Sequence, residues 1–206
     1  MPEDSTPPDL LQLAMRLVAE QGWAAFSFAE LARRAGIGLA EVYAEFPDRA
    51  ALLRGVGRRA DAEMLQIDLA ELDAMTPRER VFELVLRRLD AMAPYQEGVR
   101  VLAREAVRDP LLLGAACGTI DRVARRILDV AGSCGGPMAT ALARRVVAAI
   151  YARTFSVWLD DTTPDMARTL AELDRRLQQA ETAAGWLGSL CRSRRRPNRD
   201  AATVAA

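Results

Sequence analysis

The stretch from Phe28 to Leu53, FAELARRAGIGLAEVYAEFPDRAALL, leaves little freedom for the fold around it. Ser27 and Glu30 have the S-x-x-E spacing of a capping box, in which hydroxyl and carboxylate satisfy free N–H groups at a helix start. Phe28, Leu31, Ala32 and Ala35 recur at helical spacing and predict one buried face. Gly36 permits a sharp turn, Ile37 plugs it, and a short helix follows over about Leu39–Glu45. Val42, Tyr43 and Phe46 are its inward candidates. Pro47 stops it, and Asp48 caps a longer helix to about Leu72. Two short helices about a glycine turn make a helix-turn-helix, with the second helix placed to enter a DNA major groove.

The rest of the chain reads as helix throughout. Asp9 caps a first helix with Leu10, Leu13, Ala14, Leu17 and Val18 inside, ending at Gly22. Trp23 and Phe26 cover the end of that small core. Thr76-Pro77-Arg78-Glu79 is a second strong start signal, for a helix to about Ala93 with Val81, Leu84, Val85, Leu86 and Leu89 inside. Pro94 breaks it; Tyr95–Val107 is the next helix, and Asp109-Pro110 opens another to about Ala131. Ser133–Pro137 reads as a loop.

Met138–Leu159 is apolar over most of its circumference, which predicts burial on several sides. Thr163 caps a last long helix with Leu170, Leu173 and Leu177 on one stripe. No segment shows β-alternation, so the expected class is all-α with about nine helices. The expected division is a disordered 1–8, a head over 9–55, a body over 56–190 and a basic disordered tail over 191–206.

Composition narrows the chemistry. The 206 residues contain no histidine, which removes histidine acid–base catalysis, Ser-His-Asp triads and histidine metal ligands together. All 28 basic residues are arginine, balanced by 28 carboxylates. Cys117, Cys134 and Cys191 are odd in number and show no CxxC spacing, so free thiols in a reducing cytosol are expected. No apolar run reaches the roughly 20 residues of a membrane span. Asp160-Asp161 reads as a capping turn rather than a metal site, and Glu172 with Arg176 as an exposed i, i+4 ion pair. No catalytic constellation, cofactor site or metal site emerges; the expectation is a binding protein, not an enzyme.

The head, with a helix ending in G-W, then ELARRAGI and VYxxFPDRxxLL, resembles the TetR family of transcriptional regulators over about Asp9–Gly55. The resemblance implies a TetR-like fold: a three-helix DNA-binding head, and a larger helical body that binds a small ligand and dimerises through its last two long helices. It also implies a DNA-facing set of Ser27, Arg33, Arg34, Gly38, Leu39, Ala40, Glu41, Tyr43 and Arg49. Tyr43 either packs in the core or offers its hydroxyl to a phosphate, and the arginines either reach phosphates or lie on solvated faces. Met1–Pro47 carries three arginines against seven carboxylates, a poor balance for phosphate binding.

The body strings MTPRERVFELVLRRLDAMAPY and RRVVAAIYARTFSVWLDDTTPDMARTLAELDRRL resemble the ubiquinone-biosynthesis accessory family called coenzyme Q protein nine. That family keeps a TetR-like fold, and the resemblance implies an isoprenoid-lipid site and a peripheral membrane contact. Leu102, Ile127, Tyr151, Phe155 and Trp158 are the pocket candidates. The last three share one helical face at i, i+4 and i+7, and line a pocket, a dimer seam or plain core. Trp186, Leu187 and Leu190 beside an arginine-rich tail are the membrane-contact candidates. The expected function is a homodimeric, cytoplasmic DNA-binding regulator with an apolar effector. The alternative is a lipid-binding accessory protein of ubiquinone biosynthesis, peripheral to the inner membrane, that no longer binds DNA.

Overall fold

The computed structural model describes residues 9–132 and 137–193, with side chains from residue 184 onward outside the described set. Three expectations therefore fall outside it: the N-terminal segment before Asp9, the loop over 133–136, and the tail beyond 193. Ten α-helices and one 3-10 turn make up the described chain, and no strand occurs among the described residues. They are α1 Leu10–Gln21, α2 Phe28–Ala35, α3 Leu39–Glu45, α4 Arg49–Met64, α5 Leu69–Ala74, α6 Pro77–Met92, the 3-10 turn Ala93–Tyr95, α7 Gln96–Ala106, α8 Pro110–Ala131, α9 Pro137–Trp158 and α10 Ala167–Ser193.

The boundaries follow from local chemistry. Asp9 accepts from the N–H groups of Leu11 and Gln12, and Gly36 ends α2 at φ 68°. At α6 the full capping box forms: Thr76 Oγ1 accepts from Glu79 N at 3.3 Å, and Glu79 Oε2 accepts from Thr76 N at 2.7 Å. At α2 only half of it forms. Ser27 Oγ accepts from Glu30 N at 3.2 Å, but the Glu30 carboxylate turns to Arg33 and Arg34.

Two helix limits differ from the sequence reading. The fourth helix stops at Met64 instead of reaching Leu72, and Asp68 caps the separate short helix α5 by accepting from Ala70 N at 2.8 Å. Leu65 and Leu69 are exposed, so no buried stripe carries the helix across the gap. The last helix begins at Ala167, because Met166 adopts φ 51°, a left-handed conformation that interrupts helical geometry. Thr163 still contributes, its hydroxyl accepting from Ala167 N at 3.0 Å.

Two apolar cores meet along α4. Leu17, Phe26, Leu31, Val42, Phe46 and Leu52 close the head core, while Val56, Leu84, Leu89, Ile127, Tyr151 and Trp158 belong to the body core. One helical turn of α4 separates Leu52 from Val56, so a single rigid element carries both. A second joint lies where α1 crosses α7. Gly98 permits it, since a Cβ there would overlap the backbone carbonyl oxygen of Met15. Glu105 Oε1 completes the joint by accepting from Trp23 N at 3.0 Å.

The body is tied internally by buried polar groups. Asp161 accepts from the N–H and hydroxyl of both Thr163 and Thr169. Burial alone would raise its carboxyl, but these hydrogen bonds prevail and hold it at about 2. Its role is structural, fixing the α9–α10 loop. Glu172, expected on the surface, is buried, and accepts from Arg175 and from Arg176 at 2.8 Å. Arg153 of α9 lies 3.4 Å from the same carboxylate, so the pair clamps α9 to α10.

Candidate functional site

The head presents α3 as its outer helix. Val42 and Phe46 are buried, and the opposite side exposes Leu39, Ala40, Tyr43, Ala44 and Glu45. Tyr43, read as an inward candidate, is 49% exposed; its ring stands edge-on to Phe28 at 5.3 Å with the phenol side open. Glu41 is engaged at the helix start, where Oε1 accepts from Gly38 N at 3.0 Å.

The three arginines of the expected DNA-facing set are occupied within the protein. Arg33 pairs with Glu30, and Arg34 with Glu30 and Glu20. The Arg33 hydrogen bond leads the effects that hold the Glu30 carboxyl below its ordinary range. Arg49 folds back over the rings of Trp23 and Phe26, 5.2 and 5.8 Å from the ring centres. It donates to the backbone oxygens of both residues, so it secures the loop before α2. Ser27 is likewise held as the α2 cap.

The body contains a cavity of about 180 Å³ walled by α4, α6, α7, α8 and α9. Of the sequence candidates, Leu102, Tyr151 and Phe155 line it. Ile127 and Trp158 do not; both are fully buried in the core beside it. The Tyr151, Phe155 and Trp158 rings stack in order along α9, with centres 5.9 and 5.5 Å apart. The side chains of Trp186, Leu187 and Leu190 lie outside the described residues.

The feature missed in the sequence is Arg88. It sits on the buried stripe of α6, between Leu84, Val85 and Met92, and is 2% exposed. Its Nε donates to Asp61 Oδ1 of α4 at 2.9 Å, and its Nη1 donates to Tyr151 Oη and to Met92 Sδ. Arg126 of α8 also donates to Asp61, so one carboxylate on α4 holds two guanidinium groups. Burial pushes the Tyr151 phenol up despite the neighbouring Arg88 charge, so it stays protonated at neutral pH. The detectable signal was an arginine at i+3 and i+4 from leucine and valine on an otherwise apolar face.

Neither a transmembrane helix nor a metal-binding cluster is present among the described residues. Cys117 is a free, exposed thiol.

Comparison with known proteins finds a match in the head and another in the body. Residues 10–56 match the family model of bacterial regulatory proteins, tetR family, and residues 143–184 match the COQ9 family model. The first match covers α1 to the middle of α4; the second covers most of α9 and the first part of α10. No curated protein matches the chain. Among solved structures, the TetR transcriptional regulator from Nitrosomonas europaea superimposes with a TM-score of 0.71 at 22% identity, covering 84% of this chain and 95% of that one. A transcriptional regulator from Rhodococcus sp. Rha1 gives 0.58 at 18% identity, over 85% and 95% of the two chains. A TetR transcriptional regulator, also from Rhodococcus, gives 0.52 at 17% identity, over 82% and 93%. The fold is therefore the one these regulators share; residues 10–56 resemble the tetR family and residues 143–184 the COQ9 family.

Proposed function

We propose that the chain is a DNA-binding transcriptional regulator whose body binds an apolar effector. The observation that carries the reading is the outward face of α3: Leu39, Ala40 and Tyr43 stand exposed on a helix whose other side is locked into the head core. A short helix held this way, after a glycine turn, suits insertion into a major groove. The tetR-family match over residues 10–56 supports it. Tyr43, Gly38, Leu39, Ala40 and Glu41 are assigned to the DNA face. Arg33 and Arg34 join them by exchanging surface ion pairs, worth about 0–1 kcal/mol each, for phosphates. Ser27 and Arg49 act there as supports.

The protein acts as a homodimer through α9 and α10. Met138, Leu142 and Val146 form an exposed apolar stripe at i, i+4 and i+8 on α9, a face that a second copy would bury.

The test is a gel-shift titration against the DNA upstream of the protein's own gene. A sequence-dependent shift that weakens with salt is expected, and no shift at micromolar protein would overturn the reading.

A second reading has its own support in the COQ9 match and in the apolar rim of the cavity, where Val107 and Leu111 are exposed beside the lining residues Ala106 and Leu112. In it the protein is a lipid-binding accessory factor of ubiquinone biosynthesis, with Trp186, Leu187 and Leu190 at a membrane surface. Co-sedimentation with anionic liposomes, together with the absence of any DNA shift, would favour it over the first.

A further inference from the structure

We infer that the body cavity takes a small amphiphile with one acidic group, its oxyanion bound by Arg88 and Tyr151. The inference deepens the reading of the cavity as an effector site and rests on it. Arg88 lines the cavity while only 2% exposed. Its hydrogen bonds use Nε and Nη1, and Nη2 makes none among the described residues. Nη2 is also not among the fully enclosed orphan atoms, of which the hydroxyl of Thr154 is the single instance among the described residues. Nη2 therefore keeps some accessible surface on a residue that lines the cavity.

Tyr151 supplies a second donor. Its oxygen accepts from Arg88 Nη1, and its own proton has no acceptor among the described residues. A guanidinium N–H and a phenol O–H from two residues of the same cavity wall can serve the two oxygens of a carboxylate.

Charge points the same way. Asp61 answers two guanidinium groups, from Arg88 and Arg126, so the cluster carries one positive charge beyond balance. A neutral apolar guest would leave Nη2 unpaired in an apolar wall, which is unfavourable, whereas an anion completes it. The remaining wall suits a tail: Val56, Met92, Val99, Leu102, Ile120 and Phe155 are all apolar. A cavity of about 180 Å³ selects a short chain or a single ring.

Arg88 would then be shared between the guest's acid and Asp61. Asp61 sits on α4, the helix that also carries Leu52 of the head core. Guest binding therefore sets a second anion against Asp61 at the same guanidinium while leaving the Nε hydrogen bond in place.

Calorimetric titration of the full chain, without DNA, with octanoate and with 1-octanol tests this. Octanoate is expected to bind about tenfold more tightly, in line with one charge-assisted hydrogen-bond pair. Equal binding, or tighter octanol binding, overturns the acid anchor and leaves an apolar effector cavity standing. Binding of neither probe overturns both. Because no DNA is present, a failed gel shift does not bear on the result. Arg88→Met alone leaves buried Asp61 with only the half-exposed Arg126 and is expected to destabilise the body, so Arg88→Met/Asp61→Asn is the variant to titrate; its octanoate preference should vanish. Tyr151→Phe should cut the preference about fivefold. Asp61→Asn should tighten octanoate several-fold by removing the competing anion, an effect that a merely structural Asp61 would not produce. Weaker octanoate binding in Asp61→Asn, with the fold intact by circular dichroism, would count against the shared-arginine arrangement.

Discussion

In the head, Arg33, Arg34 and Arg49 each have their guanidinium group occupied by a neighbour within the head. In the body, Arg88 is far more deeply buried, lines the cavity, and makes no hydrogen bond through Nη2 among the described residues. Water sets the difference in meaning. The pairs of Arg33 and Arg34 are solvated, break at little cost and say little about a partner. A free donor in an apolar wall lacks that relief, so it carries more information about what binds there. On the proposed reading the head is an adaptable surface on a rigid frame, and the body is a preformed site.

The largest effect is expected where the two regions join. Gly98→Ala should destabilise the chain by about 3 kcal/mol, because the added methyl meets backbone that cannot swing aside. Urea denaturation reads this; a loss below about 1 kcal/mol would mean α1 and α7 separate easily, and the contrast between the two regions would lose its rigid frame.

Next comes the satisfied polar interior of the body. The Asp161 carboxyl, held at about 2 against an ordinary 3.8, is depressed in the folded state. Its contribution, about 2 kcal/mol, is therefore present above the ordinary value and lost as pH falls from about 4 to about 2. Asp161→Asn should lower stability at neutral pH by about that much and flatten the pH dependence in that window. An unchanged acid-unfolding curve would show that the threonine hydrogen bonds contribute nothing net.

A smaller effect should come from the DNA face. Tyr43→Phe keeps the ring on Phe28 and removes only the hydroxyl. DNA affinity should fall about fivefold, near 1 kcal/mol, with stability unchanged. Equal affinity would assign Tyr43 to packing alone. The smallest expected effect is Arg33→Gln: a few tenths of a kcal/mol in stability from the lost pair with Glu30. If Arg33 exchanges Glu30 for a phosphate, the salt slope of DNA binding should also drop by about one. An unaltered slope would place Arg33 off the DNA.

Much of the head was legible because its signals are local. The caps at Asp9 and Ser27, the turn at Gly36 and the stop at Pro47 act within four residues of themselves. The cavity was legible in part: Leu102, Tyr151 and Phe155 stand in its wall, while Ile127 and Trp158 went to the core behind it. Spacing places residues on a helical face but does not say which neighbour covers that face. Glu172 looked like a surface partner of Arg176 for the same reason; its burial goes with the packing of α10 on α9, whose Arg153 reaches it from the preceding helix.

The sequence by itself determined an all-helical chain, a glycine-turn head and most helix limits, since periodicity, caps and breakers are written within single turns. Only the tertiary structure decided that Asp61, Arg88, Arg126 and Tyr151 meet. They come from α4, α6, α8 and α9, and long-range packing of four helices buries Asp61, Arg88 and Tyr151 together, with Arg126 reaching Asp61 from the solvent side. That burial, which no local pattern encodes, makes one unpaired guanidinium donor a statement about a ligand.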